Sequence, residues 1–178
     1  MDTWARKENE LFPEREPLQE IYELSDYRYV ELEKILDTIG DKQVVIWAQY
    51  RKEFEIIKKR LGNKCVCVYG AVDITEKNHN LKKFKSGDVQ YLIANPASAS
   101  MGLTLTNAHV AIYFSLGYSM ELWLQSNERI YGGIRSQPNK CYYYIMMANG
   151  TVDELIYKAV QAKYDRSMGL LNYLKGGV

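Results

Sequence analysis

The stretch VVIWAQYRKEFEIIKKRLGNKCVCVYG, residues Val44–Gly70, decides the architecture. Its first six residues form a short run rich in β-branched side chains with no polar alternation, the pattern of a strand buried on both faces. Tyr50, Phe54, Ile57 and Leu61 then trace one face of a helix that stops at Gly62. CVCVYG (65–70) follows as a second apolar run. Strand, helix and strand in direct succession read as one unit of a parallel sheet.

The same alternation extends in both directions. Upstream, Leu32, Ile35, Leu36 and Ile39 sit at helical spacing before Gly40, while residues 1–25 are charge-rich, carry Pro13 and Pro17, and read as a tail or linker. Downstream, Asp73 and Glu76 have capping-box-like spacing ahead of a helix whose apolar side holds Leu81 and Phe84. VQYLIA (89–94) and HVAIYF (109–114) are further strands, a helix starts near Ser119, and CYYYIMM (141–147) is a fifth strand. Thr151 and Glu154 form a T-x-x-E box opening a long helix, with a predicted seam of Val152, Leu155, Ile156, Ala159, Val160 and Tyr164. The expected fold is α/β, a parallel sheet with helices on both faces, spanning 26–178. Ligands of such folds collect at the carboxyl ends of the strands.

Bulk properties narrow the function classes. With 178 residues, 47% hydrophobic and 25% charged, the chain suits one soluble domain, or one plus a tail. A net charge of +1 gives no whole-molecule field, so any nucleic-acid surface must be local. Cys65, Cys67 and Cys141 make no zinc pattern, and His79 and His109 lie away from any cysteine pair, so no metal site is expected. Free thiols fit a reducing compartment. No run reaches the roughly 18 apolar residues that cross a bilayer, and no signal-peptide pattern opens the chain. Asn149-Gly150-Thr151 matches a glycosylation sequon, but nothing else suggests secretion. The expected location is the cytoplasm or a nucleus-like compartment, without membrane attachment.

The loops carry the chemistry. No phosphate-cradling G-x-x-x-x-G-K-[ST], no G-x-G-x-x-G after a strand and no G-x-S-x-G elbow occurs. Asp153-Glu154 resembles an acidic metal pair, but the capping box accounts for both acids. The loop NPASASMGLTLTNA (95–108) gathers Ala97, Ser98, Ala99, Ser100 and Gly102. Small residues there allow either a tight strand-to-helix turn or a close backbone approach to phosphate or sugar oxygens. On the helix after the fourth strand, Gln125, Arg129 and position 132 share one side, while Trp123 and Ile130 face the other. A guanidinium so presented forks onto phosphate oxygens; a solvated face with an ion pair is the alternative. Lys82, Lys83 and Lys85 complement the dipole at the end of their helix, and Tyr142–Tyr144 read as a half-exposed strand.

In this order, VVIWAQYRKEFEIIKKRL, VYGAVDITEKNHNLKKFKSGD, YLIANPASASMGLTLTNAHVAIYFSLGYSMELWLQSNERIY and GTVDELIYKAV resemble the C-terminal RecA-like lobe of superfamily-two helicases, in particular phage-type Swi/Snf-like DNA translocases. The resemblance runs from about Tyr29 to Leu174. It implies that Trp47, Gln49 and Tyr50 stand in motif IV, and that 95–105 is motif V, with Gly102-Leu103-Thr104-Leu105 where the family has Gly-Leu-Asn-Leu. That loop, through Ala97, Ser98, Ala99, Ser100, Thr104 and Thr106, would contact the DNA backbone, with duplex DNA as the polymer. Gly102 and Thr104 would also communicate with ATP. Gln125 and Arg129 match the first two marks of motif VI, whose arginines sense the ATP γ-phosphate.

Two departures qualify what the resemblance implies. The P-loop lobe is absent from this chain, and with it the acidic magnesium motif. ATP and Mg2+ would therefore belong to the two-lobed enzyme, none would be tightly bound by this chain alone, and the isolated chain is expected to be inactive. The second motif VI arginine is replaced by Gly132, leaving Arg135 as a displaced catalytic candidate beside Arg129. The alternative is a lobe that has lost catalysis and serves as a nucleic-acid- or protein-binding module. A Rossmann-type small-molecule enzyme is disfavoured because no cofactor fingerprint follows any strand.

Overall fold

The strongly apolar segments become the inner strands of one five-stranded parallel sheet. The computed structural model describes residues 26–101, 104–132 and 140–174. The strands are β1 (Val44–Trp47), β2 (Cys65–Val68), β3 (Tyr91–Ala94), β4 (Val110–Tyr113) and β5 (Tyr142–Ile145), in spatial order β2-β3-β1-β4-β5. β1 lies at the centre, with Val44 opposite both Tyr91 and Val110. Each strand is shorter than its apolar run because the assigned ladder covers four residues. Hydrogen bonds continue one residue further, from Ala48 N to Ala94 O (3.0 Å), Phe114 N to Trp47 O (2.9 Å) and Met146 N to Tyr113 O (3.0 Å).

The helices are α1 (Tyr27–Ile39), α2 (Arg51–Leu61), α3 (Ile74–Ser86), α4 (Met120–Tyr131) and α5 (Val152–Leu174), with 3-10 turns at Gly62–Lys64 and Pro96–Met101. Alternate strand residues feed two cores. Val44, Ile46, Cys65, Cys67, Ile93 and Ile112 meet Leu32 and Leu36 of α1 and Phe54 and Ile57 of α2. On the other face, Val45, Trp47, Val66, Leu92 and Tyr113 meet Leu81 and Phe84 of α3, Ile130 of α4, and Ile156 and Val160 of α5. The crossover from β1 to β2 moves toward one edge and the later crossovers move toward the other. Right-handed connections therefore put α2 on one face and α3 and α4 on the opposite one.

Two expectations change. Only part of the predicted α5 seam packs: Ile156 and Val160 are buried, but Val152 and Leu155 are 54% and 63% exposed. Val152 opens the helix and Leu155 lies about 100° around it from Ile156, so neither meets the sheet. The cap of α3 is simpler than a capping box, with the Asp73 carboxylate accepting from Thr75 N (2.8 Å).

The Asp153-Glu154 pair is engaged structurally. Glu154 accepts from Gly150 N (3.0 Å), and Asp153 accepts from Ala148 N (3.0 Å) and pairs with Arg28. Arg28 also donates to Met146 O (3.1 Å) and lies over the Phe114 ring, 5.5 Å from its centroid. One side chain thus joins the first and last helices to the end of β5.

Replacing Arg28 by Ala strands a partly buried carboxylate and should cost about 1.5–3 kcal/mol, whereas removing Lys34 from its exposed pair with Glu31 should cost less than about 1 kcal/mol; urea unfolding of both variants measures the difference. Burial pushes the Cys65 thiol up to about 11 and the Cys67 thiol up to about 12, from an ordinary 9.0. Above pH 9 the unfolded chain releases protons that the folded chain keeps, so these thiols make stability fall as pH rises through 9 toward 12. A Cys65→Ala/Cys67→Ala variant should show a shallower loss over that window in urea titrations.

Candidate functional site

The carboxyl edge of the sheet is assembled around a buried acid. Glu53, in the first turn of α2, is 8% exposed. Its Oε2 accepts from Gln49 N (3.0 Å), Tyr50 N (3.1 Å) and the Ser115 hydroxyl (2.6 Å). Three donors offset the desolvation of the carboxylate and fix the end of β1 against the end of β4. Asn95 fastens β3 to the same point, donating to Ala48 O (3.2 Å) and Gln49 O (3.3 Å) and accepting from Ala97 N (2.9 Å). A cavity of about 140 Å³ opens here between Gln49, Pro96, Tyr113, Gly117, Tyr118 and Trp123. A Cβ on Gly117 would stand 3.2 Å from Gln49 Oε1, so glycine gives the amide its room.

Trp47 and Tyr50 divide between core and surface. Trp47 is fully buried and stacked near Tyr113 at 6.3 Å, whereas Tyr50 is 62% exposed. Glu53, Asn95 and Ser115 were not singled out by the sequence reading. Only the fourth-residue spacing of Glu53 after Gln49 hinted at a cap, and nothing in the sequence places Ser115 beside it.

The loop after β3 begins with the 3-10 turn that contains Ala97, Ser98, Ala99 and Ser100. Ala97 is exposed, but Ser98 is only 5% exposed and its N–H donates to Asn95 O (2.8 Å). Ser98 is therefore packed into the turn. Gly102 lies outside the described residues, and Thr104 is exposed.

The loop then returns to the amino edge of the sheet, where Asn107 donates to Gln43 Oε1 (2.9 Å). Beside it runs the last turn of α4. Leu105 N donates to Arg129 O (2.8 Å), joining loop and helix through the main chain. Helix α4 starts at the carboxyl edge, where the Ser119 hydroxyl accepts from Leu122 N (3.3 Å), and its twelve residues carry it back about 18 Å. Arg129 stands in the last turn of α4, beside Leu105.

A buried phenol sets the rotation of α4. The Tyr113 hydroxyl lies 2.5 Å from Ser126 Oγ and donates to Asn127 Oδ1 (2.8 Å). Burial pushes its pKa far above the ordinary tyrosine value, so it stays a neutral donor. With Ser126 and Ile130 buried, Gln125 and Arg129 take the half-buried side, as their spacing predicts. Gln125 Nε2 donates to Glu121 (3.0 Å), while Gln125 Oε1 and Arg129 Nε are buried without a hydrogen-bond partner among the described residues. Arg129 makes no ion pair with any described residue. A guanidinium held half-buried without a carboxylate among the described residues fits an incoming phosphate group. Among the described residues no cluster of His, Cys, Asp or Glu could hold a metal ion.

The helix ends at Gly132. Gly132 is left-handed, with φ 77° and ψ 9°, and its N–H closes the helix on Glu128 O (2.8 Å). A Cβ at this position would meet Thr106 Cγ2 at 2.8 Å. Arg135 lies outside the described residues.

Comparison with known proteins agrees with this architecture. The helicase conserved C-terminal domain family matches residues 28–131, more than half of the chain. An SNF2 domain-containing protein, ENL1, from Oryza sativa subsp. japonica is 29% identical over 119 residues, covering 65% of this chain and 12% of the relative. The SWI/SNF-related matrix-associated actin-dependent regulator of chromatin subfamily A-like protein 1 of Xenopus tropicalis is 22% identical over 138 residues, covering 74% and 14%. The chain thus spans a small part of either relative, and neither supports a phage-type assignment. Among solved structures, the C-terminal part of the Fun30 ATPase domain superposes with a TM-score of 0.65 at 16% identity, over 75% of this chain and 44% of that one. The C-terminal domain of the DEAD-box protein Dbp5 gives 0.66 at 13% identity, over 79% of each. The same domain from S. cerevisiae bound to Gle1 and IP6 gives 0.63 at 13% identity, over 78% and 79%.

Installing the family's arginine through Gly132→Arg should destabilise the chain, by about 1–2 kcal/mol for the left-handed backbone alone, plus the clash with Thr106. Adding Thr106→Ser removes Cγ2 and should restore the clash component while leaving the backbone component. Thermal unfolding of the single and double variants reads both parts.

Proposed function

The chain belongs to the family of helicase C-terminal domains, and from that premise we propose that it is the second RecA-like lobe of an ATP-driven motor tracking DNA. The observation that carries the reading is the main-chain bond from Leu105 to Arg129. It makes the loop that would meet the nucleic-acid backbone and the helix bearing the phosphate-sensing arginine a single mechanical unit. In a two-lobed enzyme, ATP and Mg2+ would be held chiefly by a P-loop lobe, and the bound nucleotide supplies the phosphoanhydride to be hydrolysed. Arg129 would approach its phosphates as a fixed cation, with Gln125 beside it. Ala97, Thr104 and Thr106 offer the loop's contacts to the polymer, with duplex DNA as the preferred form by resemblance to Swi/Snf motors. Tightening of the nucleotide site would pull on Arg129, and Leu105 would transmit that movement to the loop.

Gly132 favours a second reading. Its left-handed cap ends the helix where the family has another arginine, which suits a lobe kept for binding, as Dbp5's similar domain binds Gle1. Arg135 decides between the two if it reaches the nucleotide from beyond the cap.

The purified chain alone should hydrolyse no ATP, with or without DNA; DNA-stimulated turnover would overturn the one-lobe reading. Joined to a Swi/Snf-type P-loop lobe it should gain DNA-stimulated ATPase activity. Arg129→Ala should then lower kcat by about 10³–10⁵, and Arg135→Ala should do so only if that residue replaces the missing arginine. Absence of turnover in a folded, nucleotide-binding fusion favours the binding module.

A further inference from the structure

The cavity beside Gln49 constrains its occupant by charge, size and shape. Among the described residues no charged side chain lines it; Gln49 and Ser119 stand beside the aromatic Tyr113, Tyr118 and Trp123. A phosphate would lose its water there with no cation to meet it, so an anion does not suit the site. At about 140 Å³ the space falls below the roughly 300–1,000 Å³ of drug-sized pockets. The occupant that fits is a small neutral group.

Gln49 is held in place to meet such a group. Its N–H donates to Glu53 and Ser115, and its carbonyl accepts from Asn95, so its backbone is fixed from both sides. Its side-chain amide bonds to no described residue, yet packs against Gly117, where a Cβ would stand 3.2 Å from Oε1 and 3.4 Å from Nε2. A fixed primary amide offers a donor and an acceptor side by side, the pair that reads a nucleobase edge. The aromatic walls add flat apolar surface, and every base has a matching face. The Trp123 indole N–H is also without a hydrogen-bond partner among the described residues.

We propose that this cavity is a nucleobase pocket, in which Gln49 reads the edge of one base and the aromatic walls cover its face. A peptide amide shares the hydrogen-bonding pattern but lacks the flat ring that such walls favour. The pocket adjoins the loop that would follow the polymer backbone, because Pro96 lines the cavity and opens the turn carrying Ala97. A strand tracked by that loop would turn one base inward. A free nucleotide is the other source of the same chemistry. The choice of a strand as source rests on the reading of the chain as a nucleic-acid-tracking lobe, whereas recognition of a base does not.

NMR of the complete, nitrogen-labelled chain tests this, with the Gln49 side-chain amide and the Trp123 indole N–H as reporters. The probes are adenosine, since glutamine pairs with adenine N6 and N7, a short single-stranded DNA, and the same strand stripped of its bases. Both reporters should shift with adenosine and with the intact strand, and neither with the abasic strand. Gln49→Ala leaves the backbone bonds of this residue in place and should weaken binding of adenosine about tenfold. Gly117→Ala, which displaces the amide, should weaken it similarly. Unaltered affinity in both folded variants overturns the proposal, as do equal shifts with the abasic strand or with N-acetylglycinamide as a peptide probe. Shifts confined to residues 97–106 overturn the pocket but leave the motor reading standing. Reporter shifts with adenosine and none anywhere with DNA uphold the pocket, assign it to a free nucleotide, and count against the motor reading. No shift with any probe overturns the pocket.

Discussion

The complete burial of β1 is the constraint from which the lobe follows. Val44 to Ala48 have no exposed surface, so the backbone of this strand must find its partners in β3 and β4, and each face of the strand must be covered by a helix. A first strand at the centre of its sheet sends its own crossover to one edge and later crossovers past it to the other. The loop after β1 consequently turns to one face, and those after β3 and β4 to the opposite face. The cavity beside Gln49 opens at that divergence, where doubly wound sheets offer a crevice.

The second organising contact ties loop to helix. Tyr113 holds the inner side of α4 through Ser126 and Asn127, and Leu105 holds its final turn through Arg129 O. The helix is thereby fixed in both rotation and translation against the sheet and the loop before β4. Gly132 completes the junction because only a residue without a Cβ lets the helix end against Thr106.

Much of the architecture was legible because burial periodicity is a local property. VVIW, CVCV, YLIA and VAIY were recognisable as buried strands, and the apolar stripes of α1 to α4 faced the sheet as their spacing required, except for Tyr50 at the start of α2, which is exposed. The polar side of α4 was equally readable from the 100° step that separates Gln125 and Arg129 from Ile130. The α5 seam was overestimated because periodicity gives the stripe but not how far the sheet extends beneath it. The burial of Ser98 was not legible for a related reason: small polar residues serve packed turns and ligand loops alike.

By itself the sequence determined the class of fold, the order of its elements and the polar side of α4, since each depends on residues within a few positions of one another. The tertiary structure alone decided strand order, the Glu53–Ser115 bond, the Arg28–Asp153 clasp and the joining of Leu105 to Arg129. These bring together residues 24 to 125 positions apart. No local pattern encodes such pairings, because they are selected by how the whole chain satisfies buried polar groups while covering β1.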